Sequence, residues 1–194
     1  MIERKKTLNV FKDARDAWGS YDDFPVGQPG TDPMPHLSRN RCAQPFFLVS
    51  EADQVIIQMS GTGRIELVGA ASPAGTGARP AAPPNGGAVS TLSLVPGDTV
   101  YIPACMPSRL FPDGENVQVR LKAEPGVREA VAWFCTCGAL VHSIDIVPGI
   151  VQAAYLAAVH AFNASPRACP SCACVHPLAE LGDIAWHETA KALS

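Results

Sequence analysis

The stretch Trp133-Phe-Cys-Thr-Cys-Gly-Ala-Leu-Val-His142 decides how this chain folds, together with Cys169-Pro-Ser-Cys-Ala-Cys-Val-His-Pro177 further along. Each stretch opens with a close pair of cysteines, and the four together are Cys135, Cys137, Cys169 and Cys172. Two thiolate pairs that converge on one point supply the soft ligands of a tetrahedral zinc or iron ion. The sequence therefore predicts one structural iron or zinc ion held by these four cysteines.

The ligand set stays open at this point, because Cys174 and His176 follow the second pair at once and either could replace a predicted ligand. Free thiols or a disulfide pair are the alternative to a metal. Seven cysteines in a chain whose charged start is no secretory signal indicate a reducing compartment instead. We expect a cytoplasmic protein.

Composition excludes several classes of partner. The chain has 194 residues, a net charge of -3 and 47% apolar residues, as ordinary globular proteins do. Its basic residues are scattered, so we expect no nucleic-acid partner. The longest apolar stretch, 149–162, contains Gln152 and His160 and is too short to cross a bilayer, so we expect no membrane partner.

Short β-rich runs separated by turn residues fill the middle of the chain. They lie at 45–49, 54–59, 63–68, 90–95, 99–103 and 117–123. Many short strands without intervening helices favour a sandwich or a barrel.

These patterns divide the chain into two predicted parts. Residues 1–125 form an N-terminal arm and the barrel, with a short helix at 10–18, an irregular run at 22–35 and a flexible insertion at 69–87. Residues 126–194 form the metal-binding segment, with a strand at 140–146 and helices near 150–163 and 178–193.

Two spacings are typical of cupins: Gly97, five residues, then Pro103, and Gln54, six residues, then Gly61. With the cysteine stretches, they make the chain resemble the bacterial 3-hydroxyanthranilate 3,4-dioxygenases over about residues 40–180. The resemblance implies a mainly β fold, a cupin jelly-roll barrel with a small rubredoxin-like four-cysteine extension that carries helices. It also implies a dimer, and a non-haem Fe(II) in the barrel that two histidines and a glutamate hold for opening an aromatic ring.

The chain departs from that family at the iron ligands. Gln54 stands at the glutamate position, while Leu48 and Ser108 stand at the histidine positions. No other histidine has the right spacing, and we expect His36 to be a surface residue of the arm. The sequence thus predicts the family's fold and puts its barrel iron in doubt.

Several polar side chains could still face the barrel interior. Candidates for catalysis are Gln54, Cys105 and Arg120, and candidates for substrate binding are Arg41, Gln44, Gln58, Arg109 and Lys122. Arg120 and Lys122 alternate with Val119 and Leu121, so one pair faces the core. We expect the apolar pair to do so and the cations to be solvated. The opposite parity would make a carboxylate-binding wall.

Three functions follow from these residues. The first is a cupin that binds or transforms a small aromatic acid without barrel iron, in specialised biosynthesis. The second is a non-catalytic partner or regulatory subunit, and the third is an iron dioxygenase with unusual ligands. We expect a homodimer, with a heteromer with a homologue as the alternative. Ordered polar groups in the barrel would favour the first function, and filling by Leu48, Met59, Met106 and Phe111 would favour the second.

Overall fold

The fold is described by a computed structural model over residues 20–25, 34–69, 89–122, 127–146 and 151–180. Its strands are β1 (Ser20–Pro25), β2 (Met34–Asn40), β3 (Phe47–Ser50), β4 (Gln54–Ser60), β5 (Gly63–Val68), β6 (Val89–Leu94), β7 (Thr99–Ile102), β8 (Ser108–Pro112), β9 (Asn116–Lys122), β10 (Glu129–Phe134) and β11 (Leu140–Ile146). The helix α1 spans Val151–Ala164. The predicted helix at 10–18, the predicted insertion beyond residue 69 and the predicted last helix beyond residue 180 lie outside the described residues.

The strands form two antiparallel sheets. Sheet A has the order β1-β2-β9-β4-β7, and sheet B has the order β11-β10-β3-β8-β5-β6. From β2 to β9 the chain alternates between the sheets, apart from the β5–β6 hairpin within sheet B, so that its first and last strands interleave as in the double Greek key of a jelly roll. The predicted mainly β jelly roll, the architecture that cupins share, is confirmed.

Strand β2 begins within the run 22–35, which the sequence predicts to be irregular. It pairs with β9 along its whole length, from Met34 opposite Lys122 to Asn40 opposite Asn116. This backbone ladder stabilises an extended conformation that the local composition does not favour. The pairing brings the end of the predicted arm into the barrel wall.

The space between the sheets is apolar at one end. Ile56 and Ile102 of sheet A pack there with Ile65, Leu67 and Leu110 of sheet B. All five are at most 8% exposed. This cluster holds the two sheets together.

Helix α1 packs on another part of sheet B. Its Tyr155, Val159 and Phe162 lie in one cluster with Leu48 of β3 and Trp133 of β10. The helix also contacts β11 and β1, which are edge strands of the two sheets. It therefore covers the side of the sandwich at which those edges meet.

Strand β9 is buried on both faces, so its cations are not on a solvated face as expected. Val117 and Val119 pack with Leu37 on the outer face of sheet A. Arg120 on the other face is 0% exposed and Lys122 is 7% exposed. The expectation that the two cations are solvated is therefore wrong, because the apolar side chains of β9 have a core of their own outside the barrel.

Among the described residues, a helix with the length and hydropathy of a membrane span is not found.

Candidate functional site

The four predicted cysteine ligands come together at one point. Cys135 and Cys137 lie in the turn between β10 and β11, and Cys169 and Cys172 lie in the loop after α1. The Sγ atoms of Cys135 and Cys172 are 3.5 Å apart, as are those of Cys137 and Cys169. All four Sγ atoms lie within 4.8 Å of one another, as a tetrahedral ion with Zn–S bonds of about 2.3 Å requires.

Two similar turns present these sulfurs. In the first turn, the N–H of Gly138 donates to the carbonyl of Cys135 over 2.8 Å, and in the second the N–H of Ala173 donates to the carbonyl of Cys169 over 2.9 Å. Gly138 has a φ of 86° and Ala173 a φ of 60°, so both turns pass through the left-handed region. Ala173 occupies a conformation that usually favours glycine.

The sulfurs differ in their acidity. The N–H of Cys137 donates to the sulfur of Cys135, and this is the main reason why the pKa of Cys135 falls to about 6. The N–H of Cys174 is the largest single influence on Cys172 and lowers its pKa, but the side chains of Cys135, Cys174 and Cys169, together with burial, outweigh it and raise that pKa strongly. Four thiolates in this space repel one another, so a cation is what allows all of them to ionise together.

Cys174 and His176 lie outside the group of four converging sulfurs, although the Cys174 side chain contacts that of Cys172. Among the described residues, the group whose ligand atoms could hold a metal consists of the four cysteines alone. Cys174 takes part through its carbonyl, which accepts from the N–H of Cys169 over 2.8 Å. The His176 ring lies 2.9 Å from the Pro177 carbonyl and contacts the edge of Phe162.

Side chains at the end of α1 fix the second turn. Asn163 donates through Nδ2 to the carbonyl of Ala179 and accepts from its N–H, over 3.0 and 2.8 Å. Arg167 donates to the carbonyls of Asn163 and His176, over 2.8 and 3.0 Å. The metal-binding loop is thereby tied to the helix that packs against the barrel.

A second cluster of functional groups lies on the inner face of the barrel. Nη1 of Arg120 donates to Oε1 of Gln54, and Nε2 of Gln54 donates to Oε1 of Glu129 over 3.3 Å. Nζ of Lys122 lies 3.1 and 3.2 Å from the two oxygens of Glu129. The two buried cations are thus joined through one amide and one carboxylate, and each partner satisfies part of the other's hydrogen bonding.

His36 also belongs to this inner face, and its expected place on the surface is wrong. It pairs directly with Arg120 across β2 and β9, and it is 7% exposed. Residues directly opposite in an antiparallel pair point to the same side. Spacing from the cupin motifs could not find His36, because it reaches the site through a strand outside those motifs.

Glutamines lie on the inner face of sheet A at the end away from Lys122 and Glu129. Nε2 of Gln118 donates to Oε1 of Gln58 over 2.6 Å, and Nε2 of Gln58 donates to the carbonyls of Ser60 and Gly61. Gln58 therefore lies inside as predicted, but its amide is used to bind the turn at Gly61. A Cβ atom at Gly61 would lie 2.4 Å from the carbonyl oxygen of Glu115, so this turn accepts only glycine.

Two predicted substrate residues lie outside the barrel. Arg41 is exposed. Arg109 binds Glu66 over 2.8 Å, and its guanidinium stacks on Phe47 and Phe111 on the outer face of sheet B. The structure does not bring either arginine to the inner cluster.

Cys105 lies in the turn after β7, with a φ of 62°. Burial, with a smaller contribution from the negative charge of Glu51, raises the pKa of its thiol. A nucleophilic cysteine needs the opposite shift, because the thiolate is the reactive form. The environment of Cys105 is that of an unreactive thiol.

The apolar side chains that could have filled the barrel are spread over different places. Leu48 packs with α1, and Met106 joins the apolar end of the interior. Met59 lies on the outer face of sheet A, and Phe111 stacks with Arg64 and Arg109 outside sheet B. Next to Arg120 on the inner face lie the polar His36 on β2 and the apolar Ile56 on β4.

The positions of the family's iron ligands do not fit an iron triad. Leu48 is an alkyl side chain inside a packed cluster, and Ser108 offers a hydroxyl. Oε1 of Gln54 already accepts a hydrogen bond from Arg120. Neutral amide and hydroxyl groups are poor substitutes for imidazole and carboxylate ligands, so these three positions do not suit a barrel iron.

Glu129 is the functional residue that sequence reasoning missed. It begins β10, pairs with Ser50 of β3, and is the carboxylate that links Gln54 and Lys122. Its stretch follows a shift in composition that predicted a separate segment. The short apolar run that follows Glu129, from Ala130 to Phe134, is a local signal for a buried strand there.

No protein-family model matches the chain, and no curated protein matches it by sequence. Among solved structures, hydroquinone 1,2-dioxygenase from Sphingomonas sp., with 4-hydroxybenzoate bound, is 19% identical, with a TM-score of 0.48 over 61% of this chain and 74% of that chain. Hydroquinone 1,2-dioxygenase PnpCD, in complex with Cd²⁺ and 4-hydroxybenzonitrile, is 19% identical, with a TM-score of 0.49 over 63% and 83%. A cupin-2 domain protein from Shewanella frigidimarina is 14% identical, with a TM-score of 0.42 over 60% and 94%. Likeness at this level carries no argument about ligand or chemistry.

Proposed function

We propose that the barrel of this chain binds a small aromatic acid, and that the four-cysteine site holds a structural zinc or iron ion. One observation carries the first part: Arg120 and Lys122 are both buried on the inner face of the barrel, two residues apart on β9. Buried cations are costly unless they serve a partner or a ligand. Because Arg120 and Lys122 face the interior and Val119 and Leu121 do not, the two cations form a carboxylate-binding wall inside the barrel.

The two cations have complementary chemistry for a carboxylate. The guanidinium of Arg120 offers a planar set of donors that can bind both oxygens at once, and Lys122 adds a compact charge. Gln54 and Glu129 hold the two side chains in fixed directions through the contacts described above. A carboxylate that enters here meets donors that are already oriented, which lowers the ordering cost of binding.

The neighbouring surface suits an aromatic ring. Ile56 is the partner of Arg120 on β4, on the side opposite His36. It belongs to the apolar cluster with Ile65 and Leu110. An organic acid that places its carboxylate at Arg120 would lie with its apolar body toward Ile56, where burial of the ring is favourable.

The four-cysteine site has a structural part in this proposal. Cys135, Cys137, Cys169 and Cys172 would hold the ion, and four protein ligands leave no open position for a substrate. A bound ion supplies a cross-link between the β10–β11 turn and the loop after α1. Since α1 packs on Leu48 and Trp133, the cross-link stabilises the wall of the barrel.

Isothermal titration with benzoate, and with benzamide as the uncharged analogue, tests the barrel site. We expect wild type to bind benzoate in preference to benzamide. Because a hydrogen bond to a charged group contributes about 1.5–3 kcal/mol, Lys122→Met should weaken benzoate binding about 10- to 150-fold. Arg120→Lys, which keeps the charge and loses the planar fork, should also weaken it.

Arg41→Gln and Arg109→Gln are the matched controls, since each removes one positive charge from outside the barrel. They should leave benzoate affinity within about twofold of wild type. If these controls and Lys122→Met lose benzoate affinity equally, the loss comes from the overall charge of the protein, and the proposal is overturned.

A further inference from the structure

A fifth thiol lies beside the four-cysteine cluster. Cys174 follows Cys172 by two residues, and the side chains of the two are in hydrogen-bond contact. Both residues are exposed, whereas Cys135 and Cys169 are buried. Cys174 is outside the group of sulfurs that could hold one ion together. In the metal-loaded protein it is therefore an accessible thiol that is not a ligand and that touches a ligand.

The backbone of the loop after α1 keeps these two thiols close together. The N–H of Cys169 donates to the carbonyl of Cys174 over 2.8 Å, and a bridge between Ala168 and Val175 continues this pairing. Ala173, between the two thiols, has a φ of 60°. In this left-handed conformation, the mirror image of the helical one, the Cα atoms on either side of a residue are about 5.5 Å apart. Disulfides span Cα distances of about 4.4–6.8 Å, so the backbone permits a bond between the two sulfurs.

The remaining cysteines are less suited to react with an oxidant. Cys42 and Cys105 are half-buried, and burial raises the pKa of Cys105. Cys137 is exposed, but it belongs to the group of four ligands. A sulfur that shares an electron pair with a cation is a weaker nucleophile than a free thiolate. The first oxidation is therefore expected at Cys174.

We propose that Cys172 and Cys174 form an oxidation site, at which a hydroperoxide converts the two thiols into a disulfide and the protein loses its structural ion. The inference rests on the structural ion of the proposed function and does not involve the barrel interior. The disulfide removes Cys172 from the ligand set and leaves three sulfurs. Since four thiolates make a closed structural site, the loss of one weakens the hold on the ion.

The reaction with hydrogen peroxide balances in two steps. The Cys174 sulfur attacks one peroxide oxygen and becomes a sulfenic acid, while the O–O bond breaks and the other oxygen leaves as water. The Cys172 sulfur then attacks the sulfenic sulfur, which forms the S–S bond and releases a second water. Each sulfur gives up one electron, and the peroxide takes both. The product no longer links the loop after α1 to the β10–β11 turn through the ion.

The experiment treats the full-length, zinc-loaded protein with hydrogen peroxide and follows released zinc with a metal-binding dye. Wild type should release one zinc for each disulfide formed and lose two of its seven free thiols. A thiol reductant with added zinc should restore both. Tandem mass spectrometry after alkylation should find Cys172 joined to Cys174, with Cys169 alkylated.

Two serine variants separate the role of Cys174 from general oxidation. Cys174→Ser should bind zinc as wild type does, because its sulfur is not a ligand and its backbone hydrogen bond with Cys169 is kept. It should release zinc about tenfold more slowly under peroxide, since the exposed free thiol is gone. Cys42→Ser removes a thiol elsewhere and should release zinc at the wild-type rate.

Several results would overturn the inference. If Cys174→Ser releases zinc as fast as wild type, or if the disulfide joins Cys169 to Cys172, then Cys174 has no part in the reaction. If Cys174→Ser holds no zinc, Cys174 is a ligand and not a free thiol. If the disulfide forms and zinc stays bound, the structural ion stands and its loss on oxidation is wrong. If untreated wild type binds neither zinc nor iron, the structural ion of the proposed function fails, and the inference fails with it.

Discussion

The ion pair between Lys122 and Glu129 allows a quantitative test of the barrel interior. The two side chains are 8% and 14% exposed, and Nζ lies 3.1 Å from the nearer carboxylate oxygen. Replacing Glu129 with leucine leaves the ammonium in a poorly solvated place, which costs about 3–5 kcal/mol for a buried pair. It also removes the acceptor of the Gln54 amide, at about 1 kcal/mol. We expect Glu129→Leu to lower the free energy of unfolding by about 4 kcal/mol.

The measurement is a double-mutant cycle by urea denaturation of the metal-loaded protein. Lys122→Met alone should cost about 3 kcal/mol, because it strands the carboxylate. The double variant Lys122→Met/Glu129→Leu should unfold within about 1 kcal/mol of wild type, since two apolar side chains of similar size replace the pair. The coupling energy between the two sites should therefore be several kcal/mol.

Glu115 supplies the control for this cycle. It pairs with Arg39 over 2.6 Å, but the two side chains are 51% and 24% exposed. Glu115→Gln should cost less than about 1 kcal/mol, as surface pairs do. If Glu129→Leu costs no more than Glu115→Gln, or if the double variant loses as much as the sum of the single ones, the inner pair is solvated and the account of the barrel face is wrong.

Three further predictions concern the cysteines and their turns. Cys169→Ser should release the metal and lower the melting temperature, because binding at a structural site contributes folding free energy. Elemental analysis measures the metal content and calorimetry the melting temperature. An unchanged metal content would contradict the prediction. Ala173→Gly should retain or raise stability by up to about 1 kcal/mol, because φ is positive there, whereas Gly138→Ala should lose about 1–2 kcal/mol by denaturant unfolding. Cys105 should be alkylated slowly at pH 8 and faster at higher pH, because its pKa is raised; Glu51→Gln should speed the reaction, and an equal rate in both proteins would remove the role of that charge.

The four-cysteine cluster could be predicted from the sequence because the spacing that forms it is local. Cys135 and Cys137 present their sulfurs from one turn, and Cys169 and Cys172 from another, so the spacing itself indicates the geometry. Strand β4 was predictable for the same reason, since Gln54–Ser60 is a β-rich run bounded by turn residues. The sequence could not decide whether Cys172 or Cys174 joins the cluster, because they are only two residues apart. The fold shows that Cys172 does.

The barrel site could be predicted only in part, because its geometry depends on distant pairings. His36 meets Arg120 through a strand pair that joins residues about eighty positions apart. The alternation of Arg120 with Val119 says that they face opposite sides but not which side is the interior. Leu37 lies beside Val119 on the outer face of sheet A and packs there with Val117 and Val119, so the inner face is left to the cations.

The cysteine cross-link has a consequence for the unfolded chain. Cys135 and Cys172 are 37 positions apart, and the segment between them contains β11 and α1. An ion that stays bound to these thiolates would close a loop of that length in the denatured ensemble, which for a permanent cross-link removes about 4 kcal/mol of chain entropy at 25 °C. Metal binding would then stabilise the fold as much by lowering the conformational entropy of the unfolded state as by its contacts in the native state. Removing the ion with a chelator would open this loop, so the strands would have to pair across a longer flexible chain. The apoprotein should therefore refold more slowly than the metal-loaded protein.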